Sequence, residues 1–219
     1  IVFKLNDLVL KMLEVLMKIA PLGIFCLIAK TFSSQGFDSI LELLKYFLGV
    51  VLVLFIHLFI VYLPLVKLIA KTKITNFFAG LKEALLFAFS TSSSSATIPI
   101  TLNNLEKSFY VKKKISSFTV PLGATINMDG TAIMQGMATI FISNFYGIEL
   151  VLTDFFTIIV TAALASIGTA GVPGVGMIML GMVLNQVGLP LEGIAIVMGV
   201  DRLLDMLRTS LNVAGDATV

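Results

Sequence analysis

The chain has 219 residues, of which 58% are hydrophobic and 13% charged, with a net charge of +2. Soluble domains carry about 25% charged residues, so this composition excludes a soluble globular domain and points to an integral membrane protein. The small net charge carries little further information, no nucleic-acid partner is expected, and a single cysteine, Cys26, excludes an internal disulfide or a thiolate metal cluster.

The sequence opens on Ile1 without a charged leader and closes on Val219, so both ends are read as cut from a longer protein. Residues 5–29, with a bend at Pro21 and Gly23, and residues 41–70 are expected to span, since about twenty apolar residues cross the hydrocarbon core. The runs are continuous rather than alternating, which favours helices over a barrel. His57, alone on the second run, is expected to pack or to hydrogen-bond a neighbouring helix.

Lysine placement orients the segments beyond residue 70. Lys67, Lys71, Lys73 and Lys82 come before a serine run, and Lys107, Lys112, Lys113 and Lys114 after it, so both clusters are cytoplasmic. The loops near 144–154 and 186–192 hold only the acids Glu149, Asp154 and Glu192 and face outside. Residues 77–107 therefore enter and leave on one side, and the first arm, only about 22 Å long as a helix, is too short to cross. Residues 151–189 enter from the other side and turn at Gly168–Gly176. The expected architecture is an all-α membrane protein: spanning helices plus two oppositely oriented re-entrant hairpins, an inverted repeat. Residues 115–146 form a further spanning helix, interrupted at Asn127-Met128-Asp129-Gly130-Thr131.

Four constellations carry candidate chemistry. Ser92–Ser95, between Thr91 and Thr97, offers hydroxyls and freed N–H groups at a hairpin tip, with Pro99 placed at the start of the second arm. The interrupted stretch at Asn127–Thr131 offers hard oxygen ligands for a Na⁺-like cation; the competing reading is a kink in which Asp129 pairs Arg208. The tip Gly168, Thr169, Gly171, Pro173, Gly174 and Gly176 can act as a lid with free carbonyls. Finally, Asp201, Asp205, Arg208, Thr209, Asn212 and Asp216 fall within an arc of about 100° on one helix. Ionised groups at bilayer depth cost several kcal/mol unless paired or hydrated. Arg208 is the natural fork for a carboxylate and Asp205 suits an ammonium group, unless the two merely neutralise each other. No nucleophile elbow, zinc motif or phosphate loop is present, so no enzyme is expected.

At the stretches STSSSSATIPIT, LGATINMDGTA, ASIGTAGVPG and DRLLDMLRTSLNVAGD the sequence resembles the dicarboxylate/amino acid:cation symporter family. The resemblance covers the whole chain and corresponds to the C-terminal part of the family fold. It implies that residues 1–36 are a spanning helix of a static scaffold. Residues 37–219 would be a transport domain lacking its early helix. The substrate, aspartate or glutamate, would meet Ser92, Ser93, Ser94, Thr131, Val172, Gly176, Asp205, Arg208, Thr209 and Asn212. One sodium would sit on Gly123, Asn127, Asn212 and Asp216. A second would use Thr125, Met128, Ser166, Ile167 and Thr169, and a third Asp129 and Asn127 with the absent early helix.

The resemblance also implies a homotrimer in the cell membrane, an elevator-type movement of the domain holding both hairpins, Na⁺ as coupling ion and no cofactor. Two departures stand out. Family members carry an arginine either where this chain has Ser92 or where it has Met206; Arg202, one turn earlier, is the substitute. Gln135 stands where proton-coupled animal members have glutamate, which favours sodium. The alternatives are a proton-coupled glutamate or C4-dicarboxylate symporter and, in a different class, an ion channel.

Overall fold

The computed structural model describes residues 38–218, together with positions 11, 12, 15, 22, 25, 26 and 29. The spanning helix and bend expected over 5–29, and the scaffold region 1–36, thus lie outside the described residues apart from those positions. Among the described residues every regular element is helical.

Helix α1 (Asp38–His57) continues through two π-helical turns, Leu58–Tyr62 and Leu65–Ile69. The apolar stretch Leu41–Ile69 is 29 residues long, enough to cross a membrane. Its inward side is picked out at helical spacing by Leu43, Tyr46, Val50 and Leu54, while Leu44, Leu48 and Leu52 stay exposed. Pro64 lies between the π turns and has no N–H to give to the preceding turn. Wider turns of this kind shift the register of one face, and here they bring Tyr62 into the interior.

Helices α2 (Ile74–Thr91) and α3 (Ser94–Ser108) pack side by side. The Asn104 side-chain amide donates to the Gly80 carbonyl at 2.7 Å, so the end of α3 lies beside the start of α2. Phe77 and Phe109 close that base, their ring centroids 6.3 Å apart. The reversal at Ser92 needs the left-handed conformation, φ 53°, which is unusual for a residue with a side chain. Helix α3 starts at Ser94, capped by the Ser93 hydroxyl, which accepts from Ala96 N at 3.1 Å. Pro99 therefore sits inside the helix rather than at its start, a correction to the expectation from sequence.

Helices α4 (Lys113–Ile126) and α5 (Asp129–Tyr146) are separated by the two non-helical residues Asn127 and Met128, where the interruption was expected. Helices α6 (Leu152–Ile167) and α7 (Val175–Gln186) form the second packed pair, with Ile158, Ala162, Ala165 and Val183 at the centre of their contact. Among the described residues, helix α8 (Gly193–Asp216) touches every other α-helix except α6. Ala84 and Ala88 of α2 pack against its Val213, and two larger apolar clusters order the rest. The larger gathers α1, α5, α7 and α8, and the smaller gathers α2, α3 and α4 around Phe77, Leu81 and Val120. The polar stripe of α8 lies in the middle of this arrangement and not on its outer surface.

Candidate functional site

All six residues of the stripe are buried, Arg208 to 2% exposure, whereas Leu203 on the opposite side is 57% exposed. The apolar residues Leu204, Leu211 and Val213 are buried as well, against neighbouring helices, so α8 is enclosed on nearly every side. Arg208 donates from Nε to Asp205 Oδ1 at 3.0 Å and from Nη1 to Asp201 Oδ1 at 2.9 Å. The self-neutralising pair weighed from sequence is thus formed, and Asp201 joins it. The Thr209 hydroxyl lies 3.4 Å from the same Asp205 oxygen, and Gly174 N donates to Asp205 Oδ2 at 3.1 Å. That last bond ties the second glycine-rich tip to the stripe.

The two tips meet in front of these charges. Ser93 Oγ and Ser95 N both donate to the Gly171 carbonyl, at 2.8 and 3.0 Å. A Cβ on Gly171 would stand 2.9 Å from Ser95 Oγ and 3.1 Å from the Ala124 carbonyl, so only glycine allows this approach. Behind the contact is a small cavity, whose lining includes Ser92, Ser94, Thr131, Val172, Gly176, Asp205, Arg208, Thr209 and Asn212. Nine of the eleven residues expected to meet a substrate line it. The Ser93 side chain is engaged in the tip contact instead. Arg202 is half-buried, is not among the lining residues, and its Nη1 has no hydrogen-bond partner. Ser92 Oγ, in the lining, is buried and likewise unpartnered.

The expected sodium ligands divide into three groups. Asn127 Nδ2 donates to Asp216 Oδ1 at 3.0 Å and to the Asn212 carbonyl at 3.2 Å. A Cβ on Gly123 would lie 2.7 Å from Asp216 Oδ1, so Gly123, Asn127, Asn212 and Asp216 are brought together. Carboxylate, amide and carbonyl oxygens of this kind fit a hard monovalent cation. The second group is gathered only in part. Met128 and Thr169 line the cavity, and Met128 Sδ receives Asn212 Nδ2 at 3.3 Å. The hydroxyls of Thr125, Ser166 and Thr169 bond carbonyls of their own neighbourhood, and Ile167 is exposed.

In the third group, Asp129 does not pair Arg208, the alternative weighed from sequence. Its Oδ2 lies 3.0 Å from His57 Nε2 and accepts from the Tyr62 hydroxyl at 2.8 Å. The Asp129 side chain remains 40% exposed. His57 thus makes the helix–helix hydrogen bond expected of it. Tyr62 is a polar partner that sequence reading missed, its only signal being Pro64 two residues on, which marks a register break. A further buried link is Gln135 Nε2, 3.4 Å from the Gly176 carbonyl, with Gln135 Oε1 unpartnered.

Among the described residues the elements are all helical, with the charges of a central helix buried and two helix pairs touching in front of them. The whole chain, residues 1–219, matches the sodium:dicarboxylate symporter family. It therefore belongs to that family. It is 42% identical over 215 residues to excitatory amino acid transporter 1 of Bos taurus, covering 97% of this chain and 40% of that protein. It is 40% identical over 216 residues to excitatory amino acid transporter 2 of Homo sapiens, covering 97% and 38%. It is 43% identical over 215 residues to excitatory amino acid transporter 3 of Mus musculus, covering 97% and 41%. The chain thus spans about 40% of the length of the curated relatives it matches. The family is one of symporters, not of enzymes.

Proposed function

We propose that this chain carries the substrate and cation sites of a secondary active symporter that moves aspartate or glutamate across the cell membrane with Na⁺. The observation that carries the reading is the buried Asp205–Arg208 pair lining a small cavity closed by two touching tips. The guanidinium receives the side-chain carboxylate and Asp205 receives the ammonium group. Thr131, Thr209 and Asn212 add hydrogen bonds, and Ser92, Ser94, Val172 and Gly176 surround the main carboxylate. Asp205 in the lining favours an amino acid over a C4-dicarboxylate, because without an ammonium group its charge would face the ligand uncompensated. Arg202, with an uncommitted Nη1, is the proposed substitute for the arginine the family carries elsewhere.

The remainder of the reading rests on the family architecture. Helices α2 and α3, and α6 and α7, are the two re-entrant hairpins of an inverted repeat, entering from opposite faces. Supporting this, α7 has only 12 residues, about 18 Å as a helix against a hydrocarbon core of about 30 Å. Residues 37–219 form the mobile domain and the second tip is the lid. Since the tips are bonded through Gly171, substrate entry requires those bonds to open, and cations at Asp216 and Asp129 supply the positive charge that lets the lid reclose. The working unit is a homotrimer in lipid that moves the domain as an elevator.

Labelled aspartate uptake into proteoliposomes tests the reading. An imposed inward Na⁺ gradient should drive saturable accumulation above the outside concentration. Uptake that never exceeds equilibrium, with or without the gradient, would identify a channel-like pore instead. Accumulation driven equally by a proton gradient alone would assign the proton as coupling ion.

A further inference from the structure

Seven lysines for which the proposed function has no use stand together at one end of the molecule. Val66, Phe77, Leu105 and Val120 share one buried cluster, with Phe109 and Val111 packed against it. That cluster draws together the last π-helical turn after α1, the start of α2, the end of α3 and the start of α4. Lys67, Lys71 and Lys73 flank it between α1 and α2, and Lys107, Lys112, Lys113 and Lys114 between α3 and α4, all of them exposed. Among the described residues none of the seven is in an ion pair. Lys82, Glu83 and Glu106, also on α2 and α3, together subtract only one charge. At the opposite end the balance is reversed. Lys45 is already paired to Glu42 at 2.6 Å, and the loops there hold Glu149, Asp154 and Glu192.

Apolar side chains are set among these cations. Leu68 and Ile69 are 70% and 74% exposed, and Tyr110, in the turn after α3, is 86% exposed. Such a mixture matches a lipid–water boundary: aromatic rings sit at headgroup level, and lysine stems lie along apolar surface with the ammonium group in the polar layer. We propose that this lysine rim docks on the anionic phospholipid headgroups of the cytoplasmic leaflet and thereby resists inward movement of the domain. Each lysine near an anionic surface strengthens association by about fivefold, and the attraction fades within a Debye length, about 8 Å at physiological salt. A domain that moves inward by more than that carries its rim out of the leaflet's field. The docking stands on the placement of the charges, whereas the resistance to movement rests on the proposed function.

Trace spin-labelled phosphatidylglycerol and phosphatidylcholine, added to the purified protein in phosphatidylcholine vesicles, give the relative association constant of anionic over neutral lipid. The wild type should favour phosphatidylglycerol by about fivefold or more at physiological salt. The preference should vanish near 1 M salt, where the Debye length is about 3 Å. The triple variant Lys112→Gln, Lys113→Gln, Lys114→Gln should lose most of it, and Lys45→Gln should keep it. All four lysines are exposed, so the fold is not at stake. Equal constants for the two lipids in the wild type, or an equal loss in Lys45→Gln, overturn the docking. Competition by soluble glycerol phosphate would assign the rim to a free phosphate and overturn it too. In proteoliposomes, raising phosphatidylglycerol from none to half of the lipid should slow aspartate uptake at saturating substrate several-fold, and should leave the triple variant unchanged. A wild-type rate independent of lipid charge overturns the resistance to movement. Uptake absent in every lipid sinks the proposed function, while the association constants still decide the docking.

Discussion

Gly130→Ala tests whether the start of α5 and the middle of α8 are held at the separation the site needs. A Cβ at residue 130 would stand 2.8 Å from Arg208 Cβ, 2.9 Å from the Arg208 carbonyl and 3.0 Å from Asn212 Oδ1. Ordinary carbon–carbon contact is about 3.5–4.0 Å, so α5 must retreat by roughly 1 Å. Gly130 N donates to Asn212 Oδ1 at 2.8 Å, and a retreat of that size breaks the bond. Overpacking costs about 1–3 kcal/mol and the lost hydrogen bond about 1 kcal/mol, offset by up to about 1 kcal/mol from the better helix former. The net loss of about 1–3 kcal/mol corresponds to a melting temperature lower by roughly 2–12 °C for a chain of this size. Misplacing binding groups by about 1 Å can reduce function by up to about 100-fold, so aspartate affinity should fall steeply as well. The control is Gly136→Ala on the same helix, where nothing lies within 4 Å of the new Cβ; it should be neutral or stabilising by up to about 1 kcal/mol. Thermal melts and calorimetric titration with aspartate read both. Normal stability and affinity in Gly130→Ala would refute the close approach on which the site geometry depends.

Arg208→Ala leaves Asp201 and Asp205 buried without their partner, a loss of about 3–5 kcal/mol. It should abolish acidic amino-acid uptake, and Arg208→Lys should not restore it, because a point charge cannot bond both aspartates and a ligand at once. Ser93→Ala removes both the α3 cap and a donor to Gly171. It should cost about 1 kcal/mol and raise amide hydrogen exchange at residues 168–174, with unchanged exchange arguing against the tip contact. Tyr62→Phe removes a donor that competes with a cation for Asp129 Oδ2. One hydrogen bond is worth about 0.5–1.5 kcal/mol, so half-saturating Na⁺ in the uptake assay should fall by roughly two- to tenfold; a rise would show that the hydroxyl supports the cation.

Periodicity and helix breaks were legible ahead of the structure. The arc from Asp201 to Asp216 comes from 3.6 residues per turn, and its burial from the cost of turning charges toward acyl chains. The interruption at Asn127–Met128 and the reversal at Ser92–Ser93 were legible from clustered polar residues between apolar arms. Long-range pairings were not. Nothing in the order of residues distinguishes Asp205 alone from Asp201 and Asp205 together as partners of Arg208, since both lie within reach on one helix side. Asp129 was open to either Arg208 or another partner, and its choice of His57 and Tyr62 depends on two π-helical turns that no simple spacing rule supplies. Pro99 was misplaced because the capping serine, not the proline, decides where α3 begins.

The position of a bound acidic amino acid is the most direct test. A structure of the protein determined with aspartate and Na⁺ should show the side-chain carboxylate on the Nη2 edge of Arg208 and the ammonium group at Asp205, enclosed by Ser92–Ser94 and Gly176. Aspartate resolved elsewhere, with Arg208 still bound by both Asp201 and Asp205 and the cavity unchanged, would contradict it.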